Sequence, residues 1–204
     1  MPNVCNHFKI RKGDVEQRFR EVDLVVENRF STARVQHCPM EPHIAVAQVE
    51  TDGSLTITAS TQGIYVAKGV LCRLFGMSPA KVRVVAPYVG GGFGGKVWVT
   101  PEPYAALLAM RTGKAVRLAL TRDEVFLDGG CRNPMIIYVK DGVRRDGRIV
   151  AKEVKIVLNS GAYGTFGGRL ARNAAFGVVG SYSIPNLKLD SYGVYTNEPV
   201  AMPF

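Results

Sequence analysis

Five of the six residues from Gly90 to Gly95 are glycine, with Phe93 interrupting the run and Lys96 following it. Such a segment does its chemistry through the backbone. Without Cβ atoms the main chain can be approached closely, and its amides are free to donate. The order spells two phosphate-binding patterns at once: Gly90, Gly92 and Gly95 give G-x-G-x-x-G, and Gly90, Gly95 and Lys96 give most of G-x-x-x-x-G-K-[ST]. Both fail on their neighbours. The second needs a hydroxyl after the lysine to hold the nucleotide's magnesium, and Val97 stands there. Both need the loop to open a helix whose first amides hold the anion, whereas the chain continues as Val97-Trp98-Val99-Thr100 into Pro101. The dinucleotide pattern also wants an acid about 20 residues on for the ribose, and Asp123 lies about 30 residues on. A nucleotide-binding module is therefore the weaker alternative. A turn chosen only for tight packing is the plainer one, but the conformational cost of ordering five glycines argues for a functional return.

Other residues could also do chemistry. His37, Cys38, Glu41 and His43 fall within seven residues, but their spacing suits no standard zinc site, and they are expected to be buried and hydrogen-bonded; no metal ligand is assigned. The four cysteines, Cys5, Cys38, Cys72 and Cys131, contain no C-x-x-C pair, so neither a zinc ribbon nor an iron–sulfur cluster is encoded. They read as reduced thiols of a cytoplasmic protein. The excess of 26 Lys and Arg over 17 Asp and Glu gives a net charge of +9 but does not cluster in sequence. A basic face toward a more acidic subunit accounts for it, and no nucleic-acid partner is expected. No stretch approaches the ~18 apolar residues of a membrane span, and the first twelve residues lack a signal-peptide layout.

Asp14 and Gln17 form a capping-box-like start to a short helix through Glu21, and Asp23 to Ala33 reads as a strand. Strands "HIAVAQVET" and "SLTITAS" flank the Asp52-Gly53 turn as a hairpin. Ser60 or Thr61 is expected to cap a helix with Ile64, Ala67, Leu71 and Leu74 on one face, ending at Gly76. "KVRVVAPY" is a strand into the glycine loop, "PEPYAALLAMRTG" a helix, and "AVRLALT" a strand. Two long strands from Asn133 to Asn159 turn at Arg145-Asp146-Gly147. A helix over "RLARNAAFGVVG" and a strand around "LKLDSYGVYT" complete the chain. Without a regular βαβ alternation, the fold class is α+β, mixed sheets with packed helices, with a possible sub-boundary near residue 130.

Four segments in order, "MEPH" (Met40 to His43), "ASTQG" (Ala59 to Gly63), "GGGFGGK" (Gly90 to Lys96) and "RTGKAVR…TRDE" (Arg111 to Glu124), resemble the molybdenum-binding large subunit of the xanthine dehydrogenase, aldehyde oxidase and aerobic carbon monoxide dehydrogenase family. The similarity covers nearly the whole chain, and it implies a molybdenum cofactor-binding domain in which the glycine loop passes beside the metal and its pterin.

By that resemblance Gln62 is the catalytic-site glutamine whose amide hydrogen-bonds near the metal's oxo group; its alternative role is helix capping. Gly92, Phe93 and Gly94 match the cofactor-binding segment, with core packing the alternative for Phe93. Val97 stands where purine-oxidising relatives carry a glutamate, and Asn173, in "RLARNAAF", where they carry a purine-binding arginine. Together with Phe204, near which relatives complete the pocket, these two are the expected substrate-pocket residues. The resemblance implies a molybdenum–molybdopterin cofactor in its cytosine dinucleotide form, with 2Fe-2S clusters and FAD on partner domains or subunits of an oligomeric complex. The implied enzyme is a molybdenum-dependent oxidoreductase that hydroxylates a small molecule, an aldehyde or N-heterocycle, with oxygen from water. The carbon monoxide branch is the alternative. No acidic residue here matches the family's catalytic glutamate, which lies downstream of this region, so the chain is expected to be a fragment or one piece of a split subunit, inactive alone.

Overall fold

In the computed structural model, which describes residues 2–204, the chain divides into two compact units. The first holds the segment up to Val35 together with Arg132–Ala201; the second holds Gln36–Cys131 and Met202–Phe204. In chain order the first unit begins with β1 (Val4–Lys12), α1 (Val15–Phe19) and β2 (Leu24–Thr32). After β3 (Val35–Gln36) come β4 (Ile44–Val49), β5 (Leu55–Ala59), α2 (Ile64–Phe75), β6 (Val82–Val85), α3 (Glu102–Thr112), β7 (Val116–Ala119) and α4 (Arg122–Asp128). After β8 (Cys131–Arg132) come β9 (Met135–Val143), β10 (Ile149–Gly161), α5 (Gly167–Val179) and β11 (Asn186–Tyr195), with β12 (Ala201–Met202) last.

The first unit is a five-stranded sheet in the order β1-β11-β10-β9-β2. Its one parallel pair, β10 with β11, is joined by the α5 crossover; the other pairs are antiparallel. The β9–β10 hairpin turns where the Asp-Gly signal falls, with the Gly147 N–H donating to Arg144 O at 2.9 Å and Gly147 at φ +86°. Val154, Ile156, Leu187 and Leu189 alternate toward Ala175 of α5, and Phe8, Ile10 and Ile137 pack against them.

The second unit is a four-stranded sheet, β6-β5-β4-β7, again with one parallel pair, β5 with β6, joined by α2. In β5 the period of two sends Leu55, Ile57 and Ala59 inward. They meet Ala67 and Leu71 of α2 and the alanine face of α3, Ala105, Ala106 and Ala109, whose small side chains let that helix lie close. Burial of a residue such as Leu71 or Ile57 contributes roughly 1.5–3 kcal/mol. Gly76 and Gly113 end α2 and α3 in the left-handed conformation. The core of this unit therefore fixes the ends of β5 and β6 and the starts of α2 and α3, between which the glycine loop is strung.

The architecture is α+β with mixed sheets, and each unit contains a single parallel crossover. One expectation is corrected and two elements are added. The N-cap of α2 is Gly63 with no side-chain cap, because the hydroxyls of Ser60 and Thr61 are engaged elsewhere. β1 occupies the basic N-terminal stretch, where no element was foreseen. α4 follows Thr121, which forms a full capping box with Glu124.

Candidate cofactor site

Residues 86–101, between β6 and α3, contain no helix or strand. Their course is fixed by side chains brought from elsewhere in the second unit. Gln62, just before α2, lays its side chain on the loop: Oε1 accepts from the Gly94 N–H at 2.9 Å and from the Lys96 N–H at 3.2 Å. Its backbone N–H donates to Lys96 O at 2.8 Å, and Thr61 Oγ1 donates to the same carbonyl. A methyl at Gly92 would lie 2.5 Å from Gln62 Cδ, so only glycine permits this contact. Gly94, at φ +97°, is closed in by the Pro203 carbonyl carbon, 2.6 Å from where a Cβ would stand. Phe93 is itself left-handed, at φ +52°, and its ring is exposed. A non-glycine residue in that region is uncommon and carries strain that the surrounding bonds must hold.

Lys96 points inward. Its side chain is fully buried, with Nζ donating to Glu41 Oε2 at 2.7 Å and to Ser60 Oγ at 2.6 Å. Ser60 in turn donates to Glu41, which also accepts from the Gly90 N–H at 2.9 Å. Burial alone would raise the Glu41 carboxyl, but the hydrogen bonds from Lys96, Ser60 and Gly90 and the lysine's charge outweigh it and hold the group below its ordinary value. A lysine so engaged cannot reach a bound phosphate, which removes the physical basis of the nucleotide alternative. At the far end of the loop, buried Glu102 accepts from the Thr100 N–H at 2.7 Å, and its burial pushes its own carboxyl up.

Two histidines support the loop from beneath. His43 Nε2 lies 3.1 Å from Gly95 O, and His37 Nε2 lies 2.5 Å from Pro203 O. A carbonyl can only accept, so each Nε2 carries the proton. Both Nδ1 atoms are then buried acceptors with no partner among the described residues. Burial pushes His43 down, as do the charges of Lys96 and His37, against the Gly95 bond. His37 also stacks on Phe204, ring centroids 4.7 Å apart. No group of three or more His, Cys, Asp or Glu among the described residues is placed to hold a metal.

Thus Gln62, Gly92, Phe93 and Gly94 come together, and Phe204 lies beside the loop through His37. Val97 is half-buried, with its carbonyl oxygen against Gly63. Asn173 belongs to the first unit, exposed on α5. Sequence reasoning missed the Lys96–Glu41–Ser60 cluster. A signal was there: a lysine inside an otherwise apolar, glycine-rich run calls for a counter-charge, and "MEPH" holds one.

The loop offers donors to a ligand. Gln62 has its acceptor occupied, while its Nε2 has no partner among the described residues. The amides of Gly91, Gly92 and Phe93 likewise have no acceptor among the described residues. A run of free amides beside a neutral donor suits an oxygen-rich, electron-dense group that needs hydrogen bonds without being displaced by a competing ligand. Residues 1–204 match the family model for the molybdopterin cofactor-binding domain. The chain belongs to this family. As a molybdopterin cofactor-binding domain it is 34% identical over 202 residues to the nicotinate dehydrogenase large molybdopterin subunit of Eubacterium barkeri, covering 99% of this chain and 48% of that protein. It is 32% identical over 200 residues to the xanthine dehydrogenase molybdenum-binding subunit of Escherichia coli O157:H7, covering 98% of this chain and 27% of that one. Among solved structures, aldehyde oxidoreductase from Desulfovibrio gigas superposes with a TM-score of 0.94 at 31% identity, over 100% of this chain and 23% of that chain. This molybdopterin-binding domain thus spans about half or less of the length of these relatives. No helix among the described residues is long and apolar enough to cross a membrane.

Proposed function

We propose that this chain forms part of the molybdenum-binding region of a larger cytoplasmic hydroxylase subunit that oxidises an aldehyde or a neutral N-heterocycle, taking oxygen from water and passing electrons to 2Fe-2S and FAD partners. The observation that carries it is the seating of Gln62 on the glycine loop: two loop amides take its Oε1 and leave its Nε2 as the donor. When bound, a molybdenum–molybdopterin group, here in the cytosine dinucleotide form, supplies the two-electron redox chemistry. Gln62 Nε2 and the amides of Gly91, Gly92 and Phe93 hold and orient that group, and the exposed Phe93 ring lays an apolar surface beside it.

The substrate class follows from Val97 and Asn173, which stand where the resembled purine-oxidising enzymes carry a glutamate and an arginine. Valine cannot hydrogen-bond a purine's polar edge in place of the glutamate, and Asn173 carries no charge to replace the arginine; each polar group left unpaired costs about 1–3 kcal/mol. Phe204, stacked on His37, adds an apolar surface. Steady-state kinetics of the intact enzyme is the test. Aromatic aldehydes or a pyridine-type heterocycle are expected to show a higher kcat/KM than xanthine. A preference for xanthine, the substrate named for one relative, would contradict the proposed class.

A further inference from the structure

Outside the groups that face the ligand, one cluster is unusual. Lys96 is among the largest fully buried side chains, and among the described residues its ammonium is met by Glu41 and Ser60 alone. An isolated buried charge is costly, so the three groups stand or fall together. Each is also tied by its backbone to a different part of the loop's frame. The Lys96 N–H donates to Gln62 Oε1, and the Lys96 carbonyl accepts from the Gln62 backbone N–H. Ser60 lies at the end of β5, two residues before Gln62. Glu41 accepts from Gly90 N–H through its carboxylate and donates its own N–H to Gly90 O at 3.3 Å.

We infer that Lys96, Glu41 and Ser60 are positioning residues: an ionic lock, buried at its lysine end, that ties both ends of the glycine loop to the segment carrying Gln62, and so sets which way the Gln62 amide faces. The inference rests on the proposed cofactor site for its functional meaning, but the lock itself is a property of the chain. The orientation follows from it directly. Gln62 Oε1 is held only while Lys96 N–H and Gly94 N–H are presented together, and Lys96 is held in place by its side chain. If the lock opens, Gln62 loses the two donors that distinguish its oxygen from its nitrogen, and the strained left-handed Phe93 between the fixed ends is free to relax.

Amide hydrogen exchange followed by NMR on the 204-residue chain tests this without any cofactor. In Lys96→Met and Glu41→Gln, exchange at Gly94 and Lys96 should quicken by tenfold or more, while Ile57 and Val84 in the sheet keep their rates. Wild-type rates at Gly94 and Lys96 in those variants would overturn the lock, and so would equal acceleration of the sheet amides, which would make the cluster a general fold determinant. If Lys96→Met and Glu41→Gln fail to fold, Ser60→Ala carries the test, because it removes one partner and keeps the ion pair. Its expected effect is a smaller acceleration confined to the same amides, and unchanged rates would overturn the proposal. Because no ligand takes part, a working lock in a chain whose intact enzyme contains no molybdopterin would count against the proposed function alone.

Discussion

At Gln62 the two ends of one amide have been given different duties. Oε1 accepts from two backbone N–H groups, and Nε2 has no partner among the described residues. Gln62→Glu separates these duties, since a carboxylate can still accept from Gly94 and Lys96 but has nothing to donate. The variant is therefore expected to keep the protected Gly94 and Lys96 amides while kcat of the intact enzyme falls by about 10–100-fold, the usual effect of removing an outer partner of a metal centre. Exchange rates and turnover measured on the same preparation check both halves; a loss of protection together with activity would reduce Gln62 to a structural clamp. Gln62 and the glycine loop were legible in the sequence because an unusual composition and a short motif lie in one stretch each. The Lys96–Glu41 pair was not. Its members lie 55 residues apart, and nothing local to either residue says that the lysine turns inward.

Among the elements, those that declare themselves by period and punctuation were readable. The β4–β5 hairpin, α2 with its glycine stop and the β9–β10 turn fall where alternation, 3.6-residue spacing and Asp-Gly signals put them. β1 escaped notice because polar and basic residues fill much of it, and its place is set by pairing with β11 more than 170 residues away. α4 is only seven residues long, below the length at which periodicity speaks, although its capping box was in view. The supports under the loop give the second unit a predictable response to acid. His43 is held below its ordinary value of 6.5 and Glu41 below 4.5. In both cases the unfolded chain binds protons before the folded one does, so stability falls as pH falls. The loss begins near 6.5 through His43 and continues below 4.5 through Glu41. Glu102, raised by burial, works in the opposite sense above 4.5. Thermal unfolding of wild type and His43→Gln between pH 8 and pH 5 isolates the histidine: the wild-type Tm should drop through this range, and the variant, which can still donate to Gly95 O, should show a flatter profile. Parallel profiles would mean that His43 takes up its proton without cost.

In the whole molecule, the chain passes between its two units three times, after Val35, after Cys131 and after Ala201. No composition shift marks the first or last of these passages, because long-range pairing decides them. Each unit has its own sheet, crossover helix and apolar cluster, which is what independent folding requires. Holding a cofactor requires more. Gln62 and Phe93 are solvent-exposed, and tight retention of a buried group depends on a shell that encloses most of its surface. This chain corresponds to 48% of the nicotinate dehydrogenase subunit and 27% of the Escherichia coli subunit. It also contributes no acidic residue matching the catalytic base implied by the family resemblance. Purified by itself, the 204-residue chain is therefore expected to melt cooperatively yet carry far less than one molybdenum per molecule, and to reduce no dye when supplied with aldehydes. Elemental mass spectrometry and the dye assay decide this together. Low metal without turnover places the missing enclosure and base elsewhere in the enzyme, whereas stoichiometric molybdenum with aldehyde-dependent turnover would show that this chain alone holds a complete active site.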